Sequence, residues 1–99
     1  MAARLVIAPE AEQDFTEAYN WYEDRRVGLG EEYLTAVDAC VQAICRHPEA
    51  YQLVHRNYRR SLVRRFPYAL FFEYAESTVI VYGIFHTSRN PKRWRQRLP

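Results

Sequence analysis

The sequence predicts an α+β domain: an N-terminal strand, an antiparallel helical hairpin packed on a mainly antiparallel four-stranded sheet, and a short C-terminal helix. Three observations predict it. Two stretches of helical period, 9–26 and 31–46, follow one another across a VGLG break. Three apolar or alternating runs, Tyr58 to Val63, Tyr68 to Tyr74 and Thr78 to His86, then succeed one another with only short turns between them. The chain has 99 residues, 48% of them apolar and 15% aromatic, which is material for one core and one domain spanning 1–99.

The elements follow in order. Arg4 to Ala8 (RLVIA) fits a strand. Pro9 then takes the first position of a helix, with Glu10, Glu12 and Asp14 near the positive end of its dipole. Phe15, Ala18, Tyr19 and Tyr22 recur at i, i+3, i+4 and i+7, with Ala11 on the same side and Trp21 at the margin. This helix ends near Arg26, before Gly28 and Gly30. From Glu31 a second helix runs to Arg46, with Tyr33, Leu34, Val37, Cys40, Val41 and Ile44 in one stripe, and Pro48 stops it. So short a connection lets both stripes meet one surface only if the helices are antiparallel.

In the middle run Tyr68, Leu70, Phe72 and Tyr74 alternate with Ala69, Phe71 and Glu73. The last run, TVIVYGIF, is apolar on both faces, which places it centrally, and its Gly83 marks a bulge or a close backbone approach. Asn90 caps a final helix with Pro91 at its first position, anchored on the sheet by Trp94 and Leu98.

Composition narrows the function. No stretch approaches the ~20 apolar residues of a membrane span, and the N-terminus has no signal-peptide pattern, so a cytoplasmic protein is expected. Cys40 and Cys45 share a helix, where five residues turn about 140° and rise roughly 7.5 Å, too far for a disulfide. They are read as core thiols. His47, His55 and His86 stand at no zinc-like spacing from them, so no structural metal and no cofactor are expected. The net charge of +2 conceals a division: residues 1–50 hold four Arg against ten acidic residues, a net of −6, and residues 51–99 hold nine Arg and one Lys against two Glu, a net of +8. Such asymmetry points to an acidic partner, nucleic acid or protein.

The candidate site residues lie in the basic half. Arg59, Arg60, Arg64 and Arg65 flank or occupy one strand (YRRSLVRRF), and alternation sends one arginine of a pair to the face free of the helices. Arg89, Lys92, Arg93, Arg95 and Arg97 follow the last strand and extend the field. The plain alternative is a solvated, edge-blunting surface. His86, beside Arg89 and within reach of Tyr74 and Glu73 if the last two strands form a tight hairpin, is a candidate general acid or base, Arg89 steadying a phosphoryl transition state. Its alternative is a strand-end histidine bonded to backbone. Trp94 is assigned to packing, and His47 and His55 receive no role.

APEAEQDF with WYE, HPEAYQLV, YRRSLVRRFPYALFFEY and VIVYGIFHTSRNPKRW together resemble the RelE/ParE superfamily, the toxin halves of type II toxin–antitoxin pairs. The resemblance runs from about Arg4 to Arg95, and RRFPYALFFEY followed by FHTSRNPKRW is its most specific part. It implies the element order derived above, and an acidic antitoxin that wraps the toxin in a hetero-oligomer and masks its active surface. It also implies one of two targets. RelE-type members cleave mRNA in the ribosomal A site without metal, and ParE-type members inhibit DNA gyrase. On the RelE pattern Arg59 or Arg60 stands where a sheet lysine is expected, Arg89 where a late Arg is expected, and Trp94 or Arg95 near an expected Tyr. Ala69, after Tyr68, takes the place of a transition-state Arg, for which Arg64 or Arg65 would have to substitute from the preceding turn. Ala8 replaces a common capping Ser. The incomplete set leans the expectation toward gyrase, with a ribosome-dependent endoribonuclease carried by His86, Arg89 and Arg65 as the enzyme alternative and a non-toxic binding homologue as the third.

Overall fold

The computed structural model describes residues 2–88 and 90–99. Strand β1 (Arg4–Ile7) leads into helix α1 (Pro9–Arg25), which starts at Pro9 with no side-chain cap from Ala8. Helix α2 (Leu29–Arg46) begins two residues earlier than the sequence pattern suggests, because its N-terminus is capped from α1. The Glu23 carboxylate accepts the backbone N–H groups of Gly28, at 3.0 Å, and Gly30, at 2.9 Å. Two of the donors that every helix start leaves unpaired are thereby satisfied. Gly28 has φ +91, a left-handed conformation that favours glycine, and a side chain at Gly30 would meet the Tyr19 ring at 2.8 Å. The break is thus a tight antiparallel corner, as its length requires.

Behind a single turn at Pro48–Ala50 lie β2 (Leu53–His55), β3 (Tyr58–Leu62), β4 (Tyr68–Ala75), β5 (Thr78–His86) and helix α3 (Pro91–Arg97). The sheet order is β1-β5-β4-β3-β2, with β1 parallel to β5 and the other pairs antiparallel. The sheet therefore has five strands where four are expected. The extra one, β2, is three residues long, pairs irregularly with β3, and turns through Arg56 at φ 51. Neither alternation nor a glycine announces it. The double-sided apolar run β5 is interior, but β4 holds the middle of the sheet.

Alternation along β4 separates two cores. Leu70 and Phe72 face the hairpin with Val79, Val81, Ile84, Ala11, Tyr22, Tyr33, Val37 and Ile44, and Tyr68 borders that core. Ala69 and Phe71 face the other way, with Phe85, Tyr58, Trp94 and Leu98, under α3. Trp94 stacks on Phe71, centroids 4.6 Å apart at 22°, so the expected anchoring of α3 holds. Cys45 is buried and Cys40 half-buried, both free, and burial raises both thiols.

Gly83 meets both of its expectations. Phe71 pairs with Gly83 and Phe72 with Val81, so Tyr82 is the extra residue of a bulge. A side chain on Gly83 would also meet Phe85 at 2.8 Å and the Asp14 carboxylate at 3.1 Å. Just beyond Val81, β1 has ended and the outer edge of β5 lies open. Asp14 of α1 closes it, accepting the Ile84 N–H at 3.1 Å and the Arg97 guanidinium of α3 at 2.6 Å.

Two predictions follow from these contacts. The β4–β5 turn places Glu76 (φ 52) and Ser77 (φ 59) in left-handed conformations without glycine. Ser77→Gly should therefore stabilise the fold by about 1 kcal/mol in denaturant titration. At Asp14, burial outweighs Arg97 and the Ile84 N–H and lifts the carboxyl above its ordinary value. The fold thus favours the neutral acid, whose contribution is complete below the ordinary aspartate range and fades as pH rises through the raised value. Asp14→Ala should cost about 2 kcal/mol by orphaning Ile84 and Arg97. Asp14→Asn should cost less, and the stability of wild type relative to it should decline from pH 3 to pH 7, on the order of one carboxyl's titration.

Candidate interaction surface

The basic residues of the second half divide according to strand alternation. Arg59, paired with Phe72, points to the hairpin side and donates to the carbonyls of Tyr51, at 2.6 Å, and Glu49, at 3.3 Å. It is a strut for the chain entering β2. Arg60, paired with Phe71, points to the opposite face and is exposed. Arg64 and Arg65 lie in the β3–β4 turn, off the strand. Arg65 pairs with Glu32 at 3.0 Å, and Glu32 also takes Arg26 at 2.9 Å. Hydrogen bonds from Arg26 and then Arg65 hold the Glu32 carboxyl below its ordinary value.

Arg60, Arg64, Lys92, Arg93 and Arg95 make no ion pair among the described residues. Asn90 caps α3 through Lys92 N–H at 2.9 Å, which fixes Lys92 and Arg93 on its exposed first turn. Arg97 is withdrawn from the field by Asp14.

His86 pairs with Tyr68 at the end of β5, which places it on the hairpin face, its ring edge-on to Tyr68 at 5.3 Å. Tyr74 and Glu73 pair with Val79 and Ile80 toward the other end of the sheet, so the expected proximity to His86 is corrected: the hairpin is tight, but its turn lies at Glu76–Ser77, far along the strand from His86. Glu73 instead accepts from Tyr82, whose hydroxyl is pushed up to about 12 by burial and this carboxylate. The His86 Nδ1 accepts the Ser88 N–H at 3.1 Å and lies 2.7 Å from Ser88 Oγ. The neutral ring then carries its proton on Nε2, and its remaining nitrogen is a donor. Arg89, its expected companion, lies outside the described residues.

Two concavities flank this strand end. On the hairpin side a cleft of about 1240 Å³ runs between α1 and α3, lined by Trp21, Tyr22, Tyr68, His86 and Arg93. Trp21, placed at the stripe's margin by the sequence, is 52% exposed there with the Arg25 guanidinium 4.2 Å over its ring. On the α3 side a cleft of about 370 Å³ crosses the sheet, lined by Arg60, Ala69, Phe85, Trp94 and Arg95, with His86 at its margin as well. Sequence reasoning counted Arg95 as part of the basic tail, near an expected Tyr, and Ala69 as a strand residue that departs from the RelE pattern. Here they are a wall and the floor.

Comparison with known proteins agrees with the architecture. Residues 5–91 match the model of the ParE toxin of the type II toxin–antitoxin system parDE. Toxin ParE2 of Mycobacterium tuberculosis is 26% identical over 92 residues, 92% of this chain and 88% of that protein. A structure of the chromosomal ParDE system of P. aeruginosa superposes with a TM-score of 0.78 at 12% identity, covering 88% of this chain and 98% of that one. The isolated E. coli RelE toxin superposes at 0.65 with 15% identity, over 96% and 95% of the two chains. These structures share the fold, and the family match over most of the length decides the assignment: this chain belongs to the ParE toxin family of type II toxin–antitoxin systems.

Proposed function

We propose that this chain is a growth-inhibiting toxin that acts on DNA gyrase and is neutralised by a cognate acidic antitoxin. The observation that supports the target is Ala69 standing where the RelE pattern has its transition-state arginine, with Arg65, the expected substitute, paired elsewhere. Arg60 and His86 both border the cleft beside α3, but His86 packs on Tyr68 and its Nδ1 is occupied by Ser88. General acid–base cleavage of RNA needs base and cation to converge on one phosphate, within hydrogen-bond reach of the atoms that react. Nothing is left for Arg65 to supply in place of the absent arginine at Ala69, because Arg65 is paired to Glu32 on the hairpin side. A surface that binds a protein target asks only for exposed charge and shape, which Arg60, Arg64, Lys92 and Arg93 provide.

An antitoxin partner is supported by the neighbours of like fold, several of them solved as toxin–antitoxin complexes. The unpaired cations on and around α3 suit an acidic wrapping segment, in a hetero-oligomer that hides the same surface from the target.

The test is direct. Purified protein should block supercoiling by gyrase, and Arg60→Glu combined with Lys92→Glu should weaken the block roughly tenfold or more, with a stronger salt dependence for wild type than for the variant. Expression should leave ribosome-bound mRNA intact. Unimpaired supercoiling with cut message would replace this reading by the endoribonuclease, whose toxicity should then vanish in His86→Ala. Unimpaired supercoiling with normal growth would leave a binding homologue.

A further inference from the structure

The cleft beside α3 has a floor and walls of different chemistry. Ala69, small and 4% exposed, forms an apolar floor together with Phe71 and Phe85, and Gln52, His86 and Thr87 stand in the lining around it. Arg60 stands on the β3 side with no partner among the described residues, and Arg95 stands on the α3 side. The aromatic rings are already engaged. Trp94 has Phe71 stacked on it and the Arg95 guanidinium 5.3 Å over it, and Phe85 has Phe71 edge-on and the Arg97 guanidinium at 5.2 Å. Neither Trp94 nor Phe85 is thus left open as the stacking platform that single-stranded nucleic acid sites use. What remains is a slot with an apolar floor between two cations.

We propose that this slot seats an apolar side chain of the antitoxin, flanked in its sequence by carboxylates that pair with Arg60 and Arg95. This rests on the toxin–antitoxin reading above and names the part of the surface that the antitoxin occupies. Ala69 is then a specificity-determining residue: an arginine there would fill the slot with charge, whereas alanine leaves room for a branched aliphatic group. Charge complementarity selects the occupant, because a basic or neutral segment would meet two guanidinium groups across an apolar gap. A central apolar anchor inside a charged rim is also the arrangement that concentrates binding energy at protein interfaces.

The probe is a short synthetic peptide with one leucine between paired glutamates, titrated into the full chain by calorimetry while the indole N–H of Trp94 is followed by NMR. Binding should shift that signal, and replacing leucine by serine should weaken it roughly tenfold. Ala69→Trp, which fills the slot, and Arg60→Glu, an exposed change that spares the fold, should each weaken it by a similar factor. An unmoved Trp94 signal, equal affinity for the serine peptide, or affinity unchanged in Arg60→Glu overturns the proposal, as does an oligo-uridylate that displaces the peptide from Trp94. In the co-expressed complex Arg60→Glu should loosen the antitoxin; unchanged antitoxin affinity with lost gyrase binding would assign the slot to the target instead. Peptide binding is read without toxicity, so a harmless chain that still binds the peptide would refute the toxin reading alone.

Discussion

One carboxylate holds the two layers of this protein to a single strand. Asp14 belongs to the hairpin on one face of the sheet, Arg97 to the helix on the other, and they meet over Gly83 where the edge of β5 is left uncovered by β1. Three otherwise separate requirements are satisfied there. The Ile84 N–H gains an acceptor, the bulge at Tyr82 is held, and a seven-residue helix too short to persist alone is fixed at its far end. The middle of that helix is held by Trp94 on Phe71, and its near end by the Asn90 cap. Gly83 is compelled by this arrangement, since a methyl group would occupy the space that the ion pair and Phe85 share. The walls of the Ala69 cleft therefore depend on an ion pair that lies outside it.

The same strand geometry sorts the charge. Adjacent arginines in β3 have opposite fates: Arg59 braces the backbone of the preceding turn, and Arg60 is released to the surface. Arg65 is drawn to the hairpin by Glu32, whose double pairing joins the α1–α2 corner to the β3–β4 turn. Exposed pairs of this sort add little stability, but they decide which cations remain available to a partner. The +8 of the second half is thus reduced by Glu32 at Arg65 and by Asp14 at Arg97, while Arg60, Lys92, Arg93 and Arg95 keep theirs on and around the exposed side of α3. A partner approaching from solution meets its opposite charge mainly on that second face.

Much of this was legible in the sequence because it rests on local periodicity. The stripes through Tyr22 and Tyr33, the alternation of β4, the Asn90 cap and the tie between Gly83 and a bulge all follow from spacing along the chain. What was not legible depends on residues distant in sequence or on turns without a signature. The Glu23 cap looks like any acidic residue near a helix end until α2 folds back onto it. Asp14 looks like a favourable charge in a first turn, and nothing local shows that its partner lies 83 positions later. Strand β2 and the Glu76–Ser77 turn use left-handed residues other than glycine, so the usual punctuation is missing. At the candidate site, alternation correctly gave one arginine to each face, but a bulge cannot be placed from sequence to the residue. That shift of one residue sets which side His86 occupies.

Ala69 acquires its meaning from this last point. In the sequence it reads as a missing arginine, a nuclease with a gap. In the fold it is the floor of a slot whose two cations stand to either side and whose rings are already stacked. An arginine lost from a phosphate site would leave its remaining partners converging on an empty position. Here Arg65 is bound to Glu32, and His86, though it reaches the margin of the slot that Arg60 borders, is held edge-on to Tyr68 with its Nδ1 taken by Ser88. On the proposed reading, the alanine lets an apolar group enter where a phosphoryl group would otherwise be held, and the cations that surround it attract and orient a polypeptide.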